Sequence, residues 1–473
     1  MNILLFNPPT PEGRKFIREG RCTQEIGVWG TLWPPISLAS IAAVLEREHH
    51  RVQVIDCPAE SMNLGQLGKR IIEFSPRAVI WSTGTPSITG DLELGSFVKK
   101  RDTRILTVIF GTHATVFSRE ILRERPDIDA VVRNEPELAV CDLIAACADE
   151  RSFEGIKGVT FRDRSGNVIV NEQREFIDPL DQLPYPAWHL VRTGDYRLPL
   201  KGDRFLIIQP IRGCPYCCSF CTSHIFYGDR IRKRSIPALI GEIRSIMENL
   251  DVREFLIWSE TFTVDKTYVN DFCRSVLESG LKFSWVCNSR VDTVDETMLR
   301  NMAGAGCWMI SYGIESGSQD VLDQSRKNVK IADIPAAVQM ARNAGLKVSG
   351  HFVFGLPGET LETMERTAAL SRSLHLDFAQ YYCAVPFPGT ELYAQAREKG
   401  WLRNCRWEDY NQDTAVLDFP RLSAAEIQRF REKAFKDFYL RPRTGIRLLR
   451  MLNRRGMKVL FQRAKDFKGW THS

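Results

Sequence analysis

The chain has 473 residues, 44% of them hydrophobic and 26% charged, with a formal net charge of +6. That length exceeds one ordinary core and predicts two or three domains, and the composition is that of a globular protein. No stretch approaches the roughly 20 uninterrupted apolar residues of a membrane span, and "MNILLFNPPTPEG" has neither the basic region nor the cleavage site of a signal peptide.

Residues 1–150 alternate strand and helix patterns of the kind that builds a parallel sheet. Strands are predicted over 3–7, 51–56, 78–82, 104–111 and 130–132, with helices over 35–48, 64–74, 91–100, 118–125 and 137–149. This is a doubly wound α/β layout, in which ligands bind at the carboxyl ends of the strands. "GVTFRDRSGNVIVNEQR" reads as a hairpin turning at Ser165, Gly166 and Asn167, and "DPLDQLPYPAWHL" as a proline-containing connector. Residues 151–200 are therefore hairpin and linker.

A second βα series fills 201–400, with strands predicted over 205–211, 254–258, 283–288, 308–314, 347–354 and 377–385. Helical patterns follow over 236–249, 266–278, 295–305, 334–344 and 360–374. Six units in a row predict an open, partial (β/α)6 barrel with its site at the strand C-terminal ends. The loops agree: a cysteine run follows the first strand, then come "WSETFT", "NSR", "GIES", "GLPGET" and "PFPGT", all at one mouth. Residues 401–473 form a helical C-terminal region.

The cysteine run is "RGCPYCCSFCTSH". Thirteen cysteines without a secretory leader point to a reducing cytoplasm, where clustered thiols bind metal more often than they pair. Cys214, Cys218 and Cys221 form C-x3-C-x2-C, with Cys217 as an extra thiol. A zinc site built from all four would crowd its ligands into eight residues, and no second pair follows. Three thiolates on one loop suit three irons of a [4Fe–4S] cluster, leaving the fourth iron open.

"RGCPYCCSFC" is similar to the C-x3-C-x-aromatic-C signature of the radical S-adenosylmethionine (SAM) superfamily, with Phe220 in the aromatic slot. The resemblance implies that Cys214, Cys218 and Cys221 hold the cluster, that SAM binds the open iron, and that reductive cleavage gives a 5′-deoxyadenosyl radical. "GHFVFGLPGET" resembles the segment beside the adenine, where Gly355 and Gly358 allow close backbone approach. "GIES" places Glu315 and Ser316 at the ribose or amino-acid part of SAM. In "WSETFT", Ser259 stands where relatives carry the first of two acids, and Glu260 remains for the SAM ammonium.

A doubly wound domain ahead of such a barrel resembles the cobalamin-binding radical SAM enzymes over residues 1 to 400, through "TLWPPISLASIAAVLE", "STGTPSIT", "GTHAT" and "VVRNEPE". The resemblance implies that Ser82, Thr83, Thr85, Gly111 and Thr112 admit cobalamin at the strand ends and that His113 lines its nucleotide slot. Thr112 replaces a glycine common in that family, and "NEPE" replaces its "GEGE". No Asp-x-His-x-x-Gly occurs, so no histidine is arranged to ligate cobalt from below.

The tail from Arg441 onward carries ten lysines and arginines against Asp466 alone, interleaved with Leu448, Leu449, Leu452, Val459, Leu460 and Phe461. That pattern fits a basic amphipathic helix at a membrane surface or a solvated helix on the barrel, and no RNA-binding module accompanies it. The combined expectation is a cytoplasmic enzyme, with its tail a candidate for peripheral contact at the inner membrane surface. It would methylate an unactivated carbon of a lipid or tetrapyrrole-like small molecule, using SAM, a [4Fe–4S] cluster, cobalamin and an electron donor such as flavodoxin or ferredoxin. The alternatives are a non-methylating cyclisation or rearrangement and a non-catalytic cluster and cobalamin sensor. A methylthiotransferase is disfavoured, because Cys22, Cys57, Cys141 and Cys147 lack the arrangement of that group's N-terminal cluster.

Overall fold

A computed structural model describes residues 1–10, 14–19, 23–25, 31–198, 201–442, 444, 445 and 447. Cys22 and the tail's interleaved apolar residues lie outside them.

The N-terminal layer is a seven-stranded sheet. Its strands are β1 (Asn2–Asn7), β2 (Arg51–Asp56), β3 (Ala78–Ser82), β4 (Leu106–Phe110), β5 (Ala130–Val132), β6 (Val159–Arg162) and β7 (Val168–Val170), in the order β2-β1-β3-β4-β5-β6-β7. The first five pair in parallel. β6 and β7 are the expected hairpin; they extend the sheet antiparallel at its edge. β3 and β4 are buried at every position, as the unbroken apolar runs of a two-sided parallel sheet require. The order reverses between β1 and β3, the switch point at which such sheets open a crevice.

The second sheet holds β8 (Leu206–Ile208), β9 (Glu254–Ile257), β10 (Ser284–Ser289), β11 (Cys307–Glu315), β12 (Lys347–Phe354) and β13 (Phe378–Cys383), adjacent in chain order and all parallel. Its first strand is shorter than the sequence pattern predicts. Pro210 has no N–H for the ladder, and the chain continues as Ile211–Arg212, paired antiparallel with Arg232–Lys233. That short ribbon brackets the cysteine loop. Four of the intervening helices start at Ser235, Asp265, Asp295 and Thr360, whose side chains each accept a hydrogen bond from a first-turn N–H.

The final described helix, Ala424–Tyr439, closes over the last strand. Tyr439 donates to the carbonyl of Ala379 at 2.8 Å, and Arg431 Nε donates to that of Tyr381 at 2.9 Å. Among the described residues no helix is long and apolar enough to cross a membrane.

Candidate active site

Cys214, Cys218 and Cys221 line one cavity of about 210 Å³ at the C-terminal ends of the barrel strands, and Cys217 points into solvent. The loop's path is fixed by its backbone. Gly213 has φ +88°, and a Cβ there would lie 2.1 Å from the Arg230 carbonyl. Ser219 then donates its N–H to Ser325 and accepts one from Leu392. Among the described residues no three cysteine, histidine or acidic side chains converge on a single-ion site. A tetrahedral zinc needs sulfurs about 3.8 Å apart, from Zn–S bonds of about 2.3 Å. Burial pushes the Cys218 thiol up to about 11, against the pull of Lys327, so the thiolate form depends on metal.

Two cations stand beside the thiols. Arg290 lies 3.7 Å from the Tyr216 ring centroid and is forked onto Asp292 at 2.9 and 2.7 Å. Its Nη1 is buried with no hydrogen-bond partner among the described residues, a donor positioned for an anionic group. Lys327 pairs with Glu315 at 2.7 Å, both buried. Glu260, Glu315 and Phe220 line the cavity. This donor set fits the cluster and the charged end of SAM.

The remaining SAM candidates sit just outside it. Ser259 is buried and does not line the cavity. Ser316 is fully buried, its hydroxyl 3.2 Å from that of Thr367 on the neighbouring helix. Gly355 and Gly358, with φ of +84° and +80°, shape a turn in which Glu359 accepts the N–H groups of Gly355 and Leu356.

The cobalamin candidates gather at the ends of β3 and β4. Ser82 bonds to Asn7 at 2.5 Å, and Thr83 donates to the Phe110 carbonyl at 2.9 Å. Gly111 has φ +135°, and a Cβ there would fall 2.3 Å from the Thr83 carbonyl. Thr112 opens the short helix Thr112–Val116. His113 Nδ1 lies 3.3 Å from Thr85 Oγ1, and its ring is enclosed by Phe117 and Trp407, each at 4.9 Å between centroids. Burial lowers the His113 pKa to about 3, so the ring is neutral.

Several cavity residues escaped the sequence reading. From the N-terminal layer come Glu19, Gln24 and Trp33, the last packed edge-on against Trp258 at 4.7 Å. From the strands come Ser311, His351 and Tyr382, beside Asn288 of the expected "NSR" loop. The strand positions were recoverable from alternation, since every second residue of a barrel strand faces inward. Nothing local marks Trp33 or Lys327.

Comparison with known proteins places this site. Residues 208–371 match the Radical SAM superfamily, and residues 26–144 match the B12 binding domain. An uncharacterized methyltransferase of Pyrococcus horikoshii is 32% identical over 447 residues, covering 94% of each chain. The chain belongs to the B12-binding radical SAM family. As a member it is an enzyme whose cofactors are a [4Fe–4S] cluster, SAM and cobalamin. The anaerobic magnesium-protoporphyrin IX monomethyl ester cyclase of Rubrivivax gelatinosus is 27% identical over 401 residues, 84% of this chain and 72% of the relative. The radical SAM methyltransferase TsrM from Kitasatospora setae, solved with cobalamin and a [4Fe–4S] cluster, superposes with a TM-score of 0.70 at 17% identity, over 91% of this chain and 84% of that one. The family's two-layer fold is thus shared.

Proposed function

We propose that this radical SAM enzyme methylates an unactivated carbon of a hydrophobic small molecule. One observation carries the reading: the cavity holding the three cysteines is walled by both layers, with Trp33 from the N-terminal one, and adjoins a second cavity in the barrel lumen. A radical source and a substrate therefore have a common meeting point, one wall of which belongs to the layer that would hold the methyl donor. When bound, the cluster and SAM supply hydrogen abstraction, and cobalamin supplies the methyl group.

The chain's own residues then hold and orient. Cys214, Cys218 and Cys221 ligate the cluster. Glu260, Arg290 and the Glu315–Lys327 pair take the amino-acid end of SAM, with Phe220 beside them. Ser259, Ser316, Gly355 and Gly358 support those residues from behind. Ser82, Thr83, Thr85, Gly111, Thr112 and His113 line the approach for cobalamin. In this assignment residues 1–150 are the cobalamin domain, 151–200 the connector, 201–400 the radical SAM barrel and 401–473 the C-terminal region. A flavodoxin or ferredoxin supplies the electron, in the cytoplasm, and the basic tail touches the inner membrane surface when the substrate is lipid-borne.

Full-length similarity to a methyltransferase supports methyl transfer, and similarity to a cyclase supports oxidative ring closure as the second reading. Anaerobically reconstituted enzyme, given reductant and SAM with a deuterated methyl group, separates them. Methyl transfer gives 5′-deoxyadenosine and a deuterated product in host extracts. Deoxyadenosine with an unlabelled, dehydrogenated product favours ring closure. Deoxyadenosine without retained cobalamin removes the methyl donor and the proposal with it.

A further inference from the structure

The lumen cavity, about 260 Å³, lies below the cysteine cavity. Its floor is apolar, built by Phe205, Leu256, Val286, Trp308, Phe378 and Phe435. Its boundary with the cysteine cavity is different. Asn288 of β10, Ser311 of β11 and Ser349 of β12 are register partners on three adjacent strands, so their side chains form one row on the lumen face. All three line the lumen, and Asn288 and Ser311 line the cysteine cavity as well. Among the described residues none of the three side chains has a hydrogen-bond partner. Donors and acceptors left unpaired in a largely apolar cavity cost stability unless a ligand completes them.

The charged groups around the lumen are already matched. Lys201 holds Glu254 at 2.6 Å, Glu25 holds Arg14 at 2.7 Å, and Arg431 is ion-paired with Asp413. A charged ligand would lose hydration without finding an unmatched counter-charge among these groups.

We propose that the molecule taken into the lumen is uncharged, with an apolar body on the aromatic floor and one hydroxyl, carbonyl or amide group held by the Asn288–Ser311–Ser349 row. The carbon attacked neighbours that group, because the row stands where the lumen opens to the cysteines. This deepens the methyl-transfer reading of the same site and rests on it.

Equilibrium dialysis against the reconstituted holoenzyme, without reductant, tests the binding chemistry with three matched probes: 2-naphthol, 2-methylnaphthalene and 2-naphthalenesulfonate. The naphthol binds most tightly. Asn288→Leu with Ser311→Ala weakens it about tenfold, as loss of a hydrogen bond to an otherwise unpaired group does, and leaves the methylnaphthalene unchanged. Ser349→Ala is the milder variant should the double one fail to fold. Equal binding of naphthol and methylnaphthalene, or tightest binding of the sulfonate, overturns the proposal. A naphthol preference in an enzyme that never transfers label from deuterated SAM supports it and overturns the methyl-transfer reading alone.

Discussion

Glu137, in the first turn of the helix after the last parallel strand of the N-terminal sheet, accepts a 2.6 Å hydrogen bond from Arg212 at the root of the cysteine loop. Glu135 accepts from Arg212 at 3.2 Å and from Arg232 at 2.8 Å, and all four side chains are buried. Burial alone would pull the Arg212 pKa down; Glu137 and Glu135 outweigh it and raise it. "NEPE" thus grips the ribbon that brackets the cysteines and ties the two layers together. Glu137→Gln leaves a buried guanidinium short of a charge and lowers stability by about 3–5 kcal/mol. Glu135→Gln, which serves two guanidinium groups, costs at least as much. Thermal unfolding of each variant checks the size, and an unchanged midpoint would mean the carboxylates are incidental.

The four thiols of the loop separate by exposure. Cys214→Ala, Cys218→Ala and Cys221→Ala each lose bound iron and the visible charge-transfer absorption of the reconstituted cluster. Cys217→Ala keeps both, since its side chain is exposed and does not line the cavity. Iron content and the optical spectrum after anaerobic reconstitution read the difference.

The sequence carried the order of elements well, because most strands are short apolar runs and several helices open on their own capping side chain. The strand 347–354 and the helix 266–278 were legible residue for residue. What failed locally was the strand predicted over 205–211, cut short at Pro210. The larger gaps are matters of distance in sequence. The Arg212–Glu137 pair joins residues 75 apart, and the Trp407 ring beside His113 comes from the C-terminal region. The Asn288–Ser311–Ser349 row exists only once three strands are in register. Periodicity reports which face a residue takes, not which neighbour it meets.

Glu359 gives the fold an alkaline weakness. Its Oε2 accepts two backbone N–H groups, while its buried Oε1 has no partner among the described residues. Burial raises its pKa from 4.5 to about 8, against those two hydrogen bonds. The folded protein then holds a proton that the unfolded chain has released between those values. The corresponding stability is fully present below pH 4.5 and is lost as pH rises through 8, by at most about 5 kcal/mol. Glu359→Gln keeps an acceptor without the charge, so its midpoint should be flat between pH 6.5 and 8, where the parent's falls.

His113 works in the opposite direction. Enclosure by Phe117 and Trp407 lowers its pKa from 6.5 to about 3, through burial alone. The unfolded chain therefore binds the proton first, and stability rises with pH across that interval. The contribution is complete above pH 6.5 and is eroded as pH falls toward 3, by about 3 kcal/mol at pH 4.5. His113→Gln removes the titration while keeping a group able to bond with Thr85. Compared in a Glu359→Gln background, which removes the opposing titration, its unfolding midpoint should hold between pH 6.5 and 4.5, where that of Glu359→Gln alone drops. Trp407→Ala offers a second arm: it opens the enclosure, moves the His113 pKa back toward 6.5, and shrinks the same acid loss while lowering stability at neutral pH. If both variants keep the parent's acid profile, His113 is not the group that titrates, and the contact between the C-terminal region and the ends of β3 and β4 is looser than the distances imply.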